Sequence, residues 1–396
     1  MDFSFTEHEK AFRKEIADFA KKELPPNWLE IGFLSGESGD WNHTLSTVKK
    51  LGDRGWLSRT WPKEYGGAGA SPIENVIFLD ETAYWGIPGM MWGGFIGLMI
   101  CHLANEDQKK KYLPPMAAGE ADGLFCLGYS EPDAGTDLAG VKTRAVRSGD
   151  EYIINGQKIW TSLGHHARWC WLLARTDPDA PKHRGMSLMV LDMHQPGVTV
   201  KPIINIAGQH IVNEVFFDDA HVPVTELVGE ENQGWPLVMT ALNMERSGAA
   251  NSGTPRRILD ELLNYVKTTK INGQLLSQDP MVRQKLANIA LEIDIIRMFA
   301  YKIAWEETTG LVAAFDASMV KVFASEMSIR LMSTAMDIVG PSSYLRPDSK
   351  WASLNGQLAG AYLMSFPGRF AGGANEIQRD IIARVALGLP KAPPKA

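Results

Sequence analysis

Cysteine is scarce in this 396-residue sequence, with Cys101, Cys126 and Cys170 the only three. They are far apart, form no CxxC pair and leave an odd thiol, which excludes a disulfide framework and a cysteine zinc site and points to a reducing, cytoplasmic setting. Basic excess is also missing: 40 Lys and Arg stand against 46 Asp and Glu, a formal net charge of -6. A nucleic-acid footprint needs a basic surplus gathered on one face, so that class is excluded. The densest basic run, Lys109-Lys110-Lys111, lies in a polar helical stretch and reads as a solvated face. No apolar run reaches the roughly 20 residues that span a bilayer, the most apolar being Met90–Cys101. No membrane segment is expected. The opening MDFSFTEHEKAFRKEI is charged and amphipathic, without the apolar core of a secretory signal, so no secretion is expected. Metal motifs are absent too, since there is no HExxH and the neighbouring side chains of His165 and His166 diverge. Gly66-Gly67-Ala68-Gly69 lacks the Lys-Ser/Thr of a phosphate loop and no GxGxxG follows a strand, which excludes a Rossmann-type dinucleotide site. No internal repeat is visible, and the only low-complexity tract is the tail KAPPKA.

What is present describes a globular enzyme-sized chain: 45% hydrophobic and 22% charged residues allow a large core and exclude disorder as the main state. Helix signals come first. Thr6 and Glu9 have capping-box spacing ahead of Phe12, Ile16 and Phe19 on one face, and Ser71-Pro72-Ile73-Glu74 repeats the logic. Asn105 to Gln108 marks a further start, with the prolines and glycines of LPPMAAGEADG expected to close that helical region. From about residue 123 to 228 the texture changes to short β-branched and aromatic runs such as EYIIN, KIWTS, WCWLLAR and MSLMVLDM. Asn155-Gly156 predicts a type I′ hairpin there, preceded by a turn at Ser148-Gly149-Asp150. Helical sequence returns to about Leu387, with breaks near Asn272-Gly273, Gly340-Pro341 and Pro367-Gly368. The expected fold class is α+β, mostly α. A helical domain over 1–122 precedes a barrel- or sandwich-like β domain over 123–230 and a helical bundle over 231–396.

Four constellations carry chemistry. The stretch Leu127 to Asp137, LGYSEPDAGTD, joins a strand to a turn rich in hydroxyls, which can present N–H groups and Ser/Thr oxygens to a polar heterocycle and its pyrophosphate, or simply form a β-turn. Gln157 to Ser162, QKIWTS, ends a strand on a Trp and two hydroxyls, which can wall a flat ring or pack in a core. On the helix Leu237–Ala250, Glu245 falls on the apolar stripe of Val238, Ala241/Leu242 and Gly248/Ala249. An inward carboxylate has a raised pKa, which suits a base, unless it is a salt-bridged structural group; Arg246 beside it opposes the shift if its guanidinium turns back. Finally, Phe370 to Arg379 is a Gly-rich turn opening a helix, fit for a phosphate or a carbonyl oxygen at backbone N–H groups.

Taken together, YSEPDAGTD, NGQKIWTS and GGANEIQRDIIAR, with their spacing, resemble the acyl-CoA dehydrogenase family over essentially the whole chain. The resemblance implies an N-terminal helical domain, a central β domain and a C-terminal four-helix bundle. It also implies FAD-dependent α,β-dehydrogenation of an acyl-CoA thioester, in which a carboxylate takes the α-proton while the β-hydrogen leaves as hydride to flavin N5. By the same resemblance Leu127, Tyr129 and Ser130 lie near the flavin ring, Gly135 and Thr136 near the phosphates, Trp160 and Ser162 flank the flavin, and Gly373 and Asn375 belong to the turn near its adenosine half. Most members carry the base at the position that here is Ala371; a minority, including isovaleryl- and long-chain enzymes, carry it on the helix that here holds Glu245. Glu245 therefore inherits the base role and Arg246 an orienting one, while the Ala371 N–H is left to polarise the thioester carbonyl. An electron-transferring flavoprotein is the implied acceptor.

The sequence departs from that family where a neighbouring subunit is served. The usual Arg-x-x-Phe-Gly segment is here Thr269-Lys270-Ile271-Asn272-Gly273, and the Gln and second Gly further on are Asp337 and Pro341. This asymmetry resembles the Glu-bearing subunit of the actinobacterial steroid side-chain enzymes, α2β2 assemblies in which a second chain supplies the missing Arg. The other readings are a homotetramer using Lys270, a flavin oxidase, desulfinase or monooxygenase on the same fold, and a non-catalytic partner subunit. Gly93, Gly94 and Gly97 leave room for a bulky acyl group or allow close helix packing.

Overall fold

The computed structural model describes residues 5–25, 28, 40–90, 92, 94–247, 251–309 and 314–390, the side chains of 243–247 and 314 excepted. Helices α1 (Glu7–Glu23), α2 (Trp41–Asp53), α3 (Pro72–Trp85), α4 (Phe95–Leu103) and α5 (Glu106–Ala117) come first. The capping boxes expected from sequence start α1, α3 and α5: the Thr6 hydroxyl accepts the Glu9 N–H at 3.2 Å while the Glu9 carboxylate accepts the Thr6 N–H at 2.7 Å, and Ser71/Glu74 and Asn105/Gln108 do the same. Such a cap contributes about 1 kcal/mol.

The prolines of LPPMAAGEADG do not stop α5, which runs through Pro114 and Pro115. Proline lacks a donor but keeps its acceptor. Accordingly the Ala118 and Glu120 N–H groups close on the Pro114 and Pro115 carbonyls, both at 3.0 Å, and the helix ends at Ala117, with left-handed Gly119 just past its cap. The lysine run is likewise more than a solvated face. Lys109 donates to Glu106 at 2.9 Å and to the Tyr65 hydroxyl at 3.0 Å, and Lys111 meets the buried Glu226 at 2.5 Å, leaving Lys110 as the solvated member.

Strands β1 (Phe125–Gly128), β2 (Arg144–Ser148), β3 (Glu151–Ser162), β4 (Trp169–Arg175), β5 (Met186–Asp192), β6 (Val198–Ile204), β7 (His210–Pro223) and β8 (Leu227–Val228) form one sheet. Its order is β6-β7-β3-β2-β4-β5-β8, with β1 parallel beside β4. Gly149-Asp150 turns β2 into β3 as expected. Asn155-Gly156 makes no hairpin; β3 continues straight through it, with a bulge between Ile154 and Gly156. The glycine answers a close approach: a Cβ there would lie 2.7 Å from the Thr143 Cα. Asn155 meanwhile is tied across to Asp219, donating from Nδ2 at 2.8 Å and accepting its N–H at 3.0 Å.

The remaining helices are α6 (Gly234–Ser247), α7 (Gly253–Thr268), α8 (Pro280–Thr308), α9 (Ala314–Val339), α10 (Gln357–Ser365) and α11 (Asn375–Ile381). The expected breaks hold. Asn272 and Gly273, with φ of 51° and 82°, form the tip of a small hairpin of β9 (Lys270–Ile271) and β10 (Gln274–Leu275), α9 stops at Gly340, and Pro367–Arg369 is a single 3-10 turn.

Packing gathers the chain into two compact units. One comprises Met1–Gly36, Ser71–Ile87 and Glu245–Ala396; the other comprises Glu37–Ala70 and Pro88–Met244. In the first, Ile258, Leu262, Ile289, Ile293, Met327 and Leu331 interleave α7, α8 and α9. Helix α3 is bound to α1 and α7 there by ion pairs, Arg13 with Glu81 at 2.6 Å and Arg256 with Asp80 at 2.8 Å. In the second unit, Trp61, Ile96, Met99, Tyr112, Trp171 and Leu188 join α4 and α5 to the strands. Gly97 there serves close packing: a Cβ would come within 2.1 Å of the Trp61 indole, so its space is already filled and opens no acyl cavity. Gly93 lies outside the described residues. Among the described residues no helix is long and apolar enough to cross a membrane, and no cluster of His, Cys, Asp and Glu could hold a metal ion.

Candidate active site

The β unit brings Leu127, Tyr129, Ser130, Trp160 and Ser162 onto neighbouring backbone. Strand β1 ends at Gly128, and a tight turn follows in which Glu131 and Ala134 exchange N–H···O bonds at 3.0 and 3.1 Å around Pro132-Asp133. Tyr129 is buried, and Ser130 half-buried, its carbonyl accepting the Ile159 N–H at 2.9 Å. Gly135 and Thr136 lie exposed beyond the turn, and a Cβ on Gly135 would meet nothing within 4 Å. The backbone there is open to a ligand's close approach. The β-turn and the candidate cradle are thus successive parts of one segment.

Trp160 is the most unusual residue of the unit. Its φ is 61° and its indole is 58% exposed, at a register shift between Lys158 and Thr161 where β3 bulges against β7. Left-handed backbone at a bulky residue costs about 1–3 kcal/mol and persists only where the surroundings over-determine it. A large ring held out at that cost fits a flat partner such as an isoalloxazine, with the half-buried Ser162 two residues on. These residues fit a flavin on the structure's own terms.

Two residues before Trp160 lies a buried ion pair not singled out in the sequence. Lys158 is fully buried; its ammonium donates to the Glu131 carboxylate at 2.8 Å and the Tyr129 carbonyl at 3.0 Å. Glu131 also accepts the N–H groups of Lys142 at 2.6 Å and Thr143 at 2.9 Å. Burial opposes both charges. For Glu131 the Lys158 ammonium and the Lys142 and Thr143 donors outweigh it, and the carboxyl sits below its ordinary range, whereas burial pulls the Lys158 ammonium down. The signal was available: Tyr152, Ile154 and Lys158 share the buried face of β3 at period two.

Beyond Ser162 the adjacent histidines enter a column of rings. Trp41 stacks on His166 with centroids 3.6 Å apart, His166 meets His165 at 4.1 Å, and His165 stacks on His210 at 3.8 Å. The buried Asn213 ties it to the bulge, bonding His165 Nδ1 at 3.0 Å, His210 Nε2 at 2.7 Å and the Thr161 carbonyl at 2.9 Å. Burial first, then the charges of His166 and His210, push His165 down to about 4, and burial also lowers His166. Such groups favour the folded state while neutral. Their contribution is intact above the ordinary histidine value near 6.5 and is lost as pH falls from there toward 4. The melting temperature is therefore expected to drop between pH 7 and 5, before carboxylates titrate, and His165→Phe is expected to flatten that dependence. A drop of equal size in the variant would remove the column as its cause.

Cys126 and Cys170 are register partners across β1 and β4, and all three cysteines are buried free thiols. The hydrogen bond to Cys170, then burial, pushes the Cys126 thiol up, so it is not poised as a thiolate.

The other unit carries the Gly-rich turn. Gly372 and Gly373 have φ of 64° and 94°, and Ala374 caps α11 without a side-chain bond. Lys321 of α9, unnoticed in the sequence, holds this turn: its buried ammonium donates to the carbonyls of Gly373 at 2.6 Å and Arg369 at 3.1 Å, and to Asn375 Oδ1 at 2.7 Å. Asn375 is fully buried, its Nδ2 donating to Ser325 and Glu326, so its amide is spent inside the protein. The exposed Ala371 has its N–H within 2.9 Å of the Pro367 carbonyl, which also accepts the Phe370 N–H at 3.0 Å to close the preceding 3-10 turn.

Glu245 and Arg246 lie on the last turn of α6, and their side chains fall outside the described residues, as do Gly248 and Ala249. Of the stripe read from sequence, Val238 and Ala241 are buried among the strands' apolar residues.

Sequence profiles of the acyl-CoA dehydrogenase N-terminal, middle and C-terminal domains match residues 6–120, 126–220 and 232–387. The acyl-CoA dehydrogenase FadE26 of Mycobacterium tuberculosis is 36% identical over 99% of this chain and 100% of its own. Among solved structures, the Tcur3481-Tcur3483 steroid ACAD superposes with a TM-score of 0.92 at 34% identity, covering 99% of this chain and 100% of that one. The ChsE4-ChsE5 complex from Mycobacterium tuberculosis gives 0.90 at 35% identity, with the same coverage.

Proposed function

The chain belongs to the acyl-CoA dehydrogenase family, whose members are FAD-dependent, and from that premise we propose that it dehydrogenates a branched, cyclic or steroid side-chain acyl-CoA as one of two different chains of an α2β2 tetramer. The observation that carries the flavin part is Trp160, held out at a bulge in left-handed backbone beside Ser162 and the Ser130 turn. Bound FAD supplies the two-electron acceptor for the β-hydrogen. Glu245 takes the α-proton, Arg246 orients it, and the backbone N–H of Ala371 polarises the thioester carbonyl. Leu127, Tyr129, Ser130, Trp160 and Ser162 hold the flavin ring, Gly135 and Thr136 its phosphates, and Gly373 and Asn375 shape the turn for its adenosine half. Electrons then pass to an electron-transferring flavoprotein or a similar acceptor, and the free buried thiols suit a cytoplasmic setting.

Two features support the mixed assembly. The segment from Thr269 to Gly273, which lacks the Arg and Phe of the usual motif, is a short hairpin with Lys270 and Ile271 exposed, and Asp337 is already ion-paired with Lys285 of α8. Relatives of the same length are solved as two-chain complexes, one of them named a steroid enzyme. The test is flavin content and subunit mass of this chain alone and co-expressed with a dehydrogenase-like chain encoded beside it. Flavin is expected only with the partner, at one FAD per pair. A yellow tetramer of this chain alone, with one FAD per subunit, would overturn the mixed assembly.

A further inference from the structure

We infer that the buried Glu131–Lys158 pair is the positioning element of the flavin cradle, locking the Tyr129–Ala134 turn to the Trp160 bulge so that the two present one seat to the isoalloxazine. This rests on the flavin-binding reading above. Three backbone segments converge on the pair. Lys158 reaches the Tyr129 carbonyl, Glu131 gathers the N–H groups of Lys142 and Thr143 where β2 begins, and Lys158 sits two residues before Trp160, next to Ile159, whose N–H bonds the Ser130 carbonyl. Cut that pair and only the Ile159–Ser130 backbone bond among these contacts still joins the turn to the bulge directly.

Stability alone does not account for it. A buried ion pair gives up so much hydration that well-packed neutral residues often serve folding equally well. What neutral residues cannot reproduce is the directional grip of an ammonium on a carbonyl and a carboxylate at once, or of a carboxylate on three donors. Because the pair is neutral overall, removing both charges changes the geometry of the seat more than its electrostatic potential. The effect should therefore fall on how the ring is held.

The experiment uses the FAD-holding assembly, with FAD itself as the probe. Glu131→Gln/Lys158→Met removes both charges at similar volume, and Glu131→Gln alone keeps an acceptor for Lys158 should the double variant fail to fold. Three quantities are read: apoprotein melting temperature, FAD dissociation constant by fluorescence titration, and the visible circular dichroism of the bound flavin, which reports ring orientation. The expected result is FAD binding weakened at least about tenfold (~1.4 kcal/mol) and an altered visible dichroism, with a melting temperature close to the parent's in the double variant and lowered in Glu131→Gln alone, where the Lys158 charge is left uncompensated. Unchanged affinity and dichroism would overturn the inference. So would an affinity loss accounted for by the melting temperature with unaltered dichroism, which marks a merely structural pair. A parent assembly that binds no FAD would instead sink the flavin reading.

Discussion

Glu245→Gln is expected to leave FAD binding intact and to slow substrate-dependent bleaching of the flavin by about 10²–10⁴-fold, the range a positioned general base contributes. The amide keeps the shape of the side chain but cannot accept a proton. The sequence pattern argues for the role: Glu245 stands at helical spacing from Val238 and Ala241 on α6. The measurement is anaerobic stopped-flow absorbance after mixing with acyl-CoA, which isolates the chemical step from reoxidation. Glu245→Asp should recover part of the rate, because the charge remains on a shorter arm. Near-parental bleaching in Glu245→Gln would place the base elsewhere.

Lys158→Met alone should cost about 3–5 kcal/mol of folding free energy, the usual penalty for leaving one partner of a buried pair uncompensated. Glu131 would then keep its charge against two backbone N–H groups with no cation bonded to it, in a site with almost no exposure. Adding Glu131→Gln should return most of the loss, since an uncompensated buried charge costs more than the lost attraction. Urea unfolding reads this as a lower midpoint at constant slope. A single variant within about 1 kcal/mol of the parent would mean that water or another cation reaches Glu131.

Much of the molecule was legible because its signals are short-range. Caps at Thr6, Ser71 and Asn105 name their partners three residues away, and the Asn272-Gly273 turn is built from its own two residues. The order of helical, β and helical sequence follows from periodicity in the same way. Family membership was legible too, since YSEPDAGTD, NGQKIWTS and GGANEIQRD are each contiguous. Misreadings cluster where a distant residue intervenes. Asn155-Gly156 has the composition of a hairpin, but Thr143 on the neighbouring strand and Asp219, 64 residues beyond Asn155, claim it for a continuous strand. Gly97 could have opened a cavity until Trp61 filled the space.

The sequence by itself determined the succession of elements, the family and the side chains available for chemistry. Tertiary structure decided what those side chains are free to do: Lys158 is committed to Glu131, Asn375 to Lys321, and the histidines to a stack under Trp41. The physical reason is range. A helix cap or a turn is settled by bonds within a few residues, whereas the burial and pairing of a polar group depend on which remote segments enclose it, and enclosure makes one hydrogen bond exclude another.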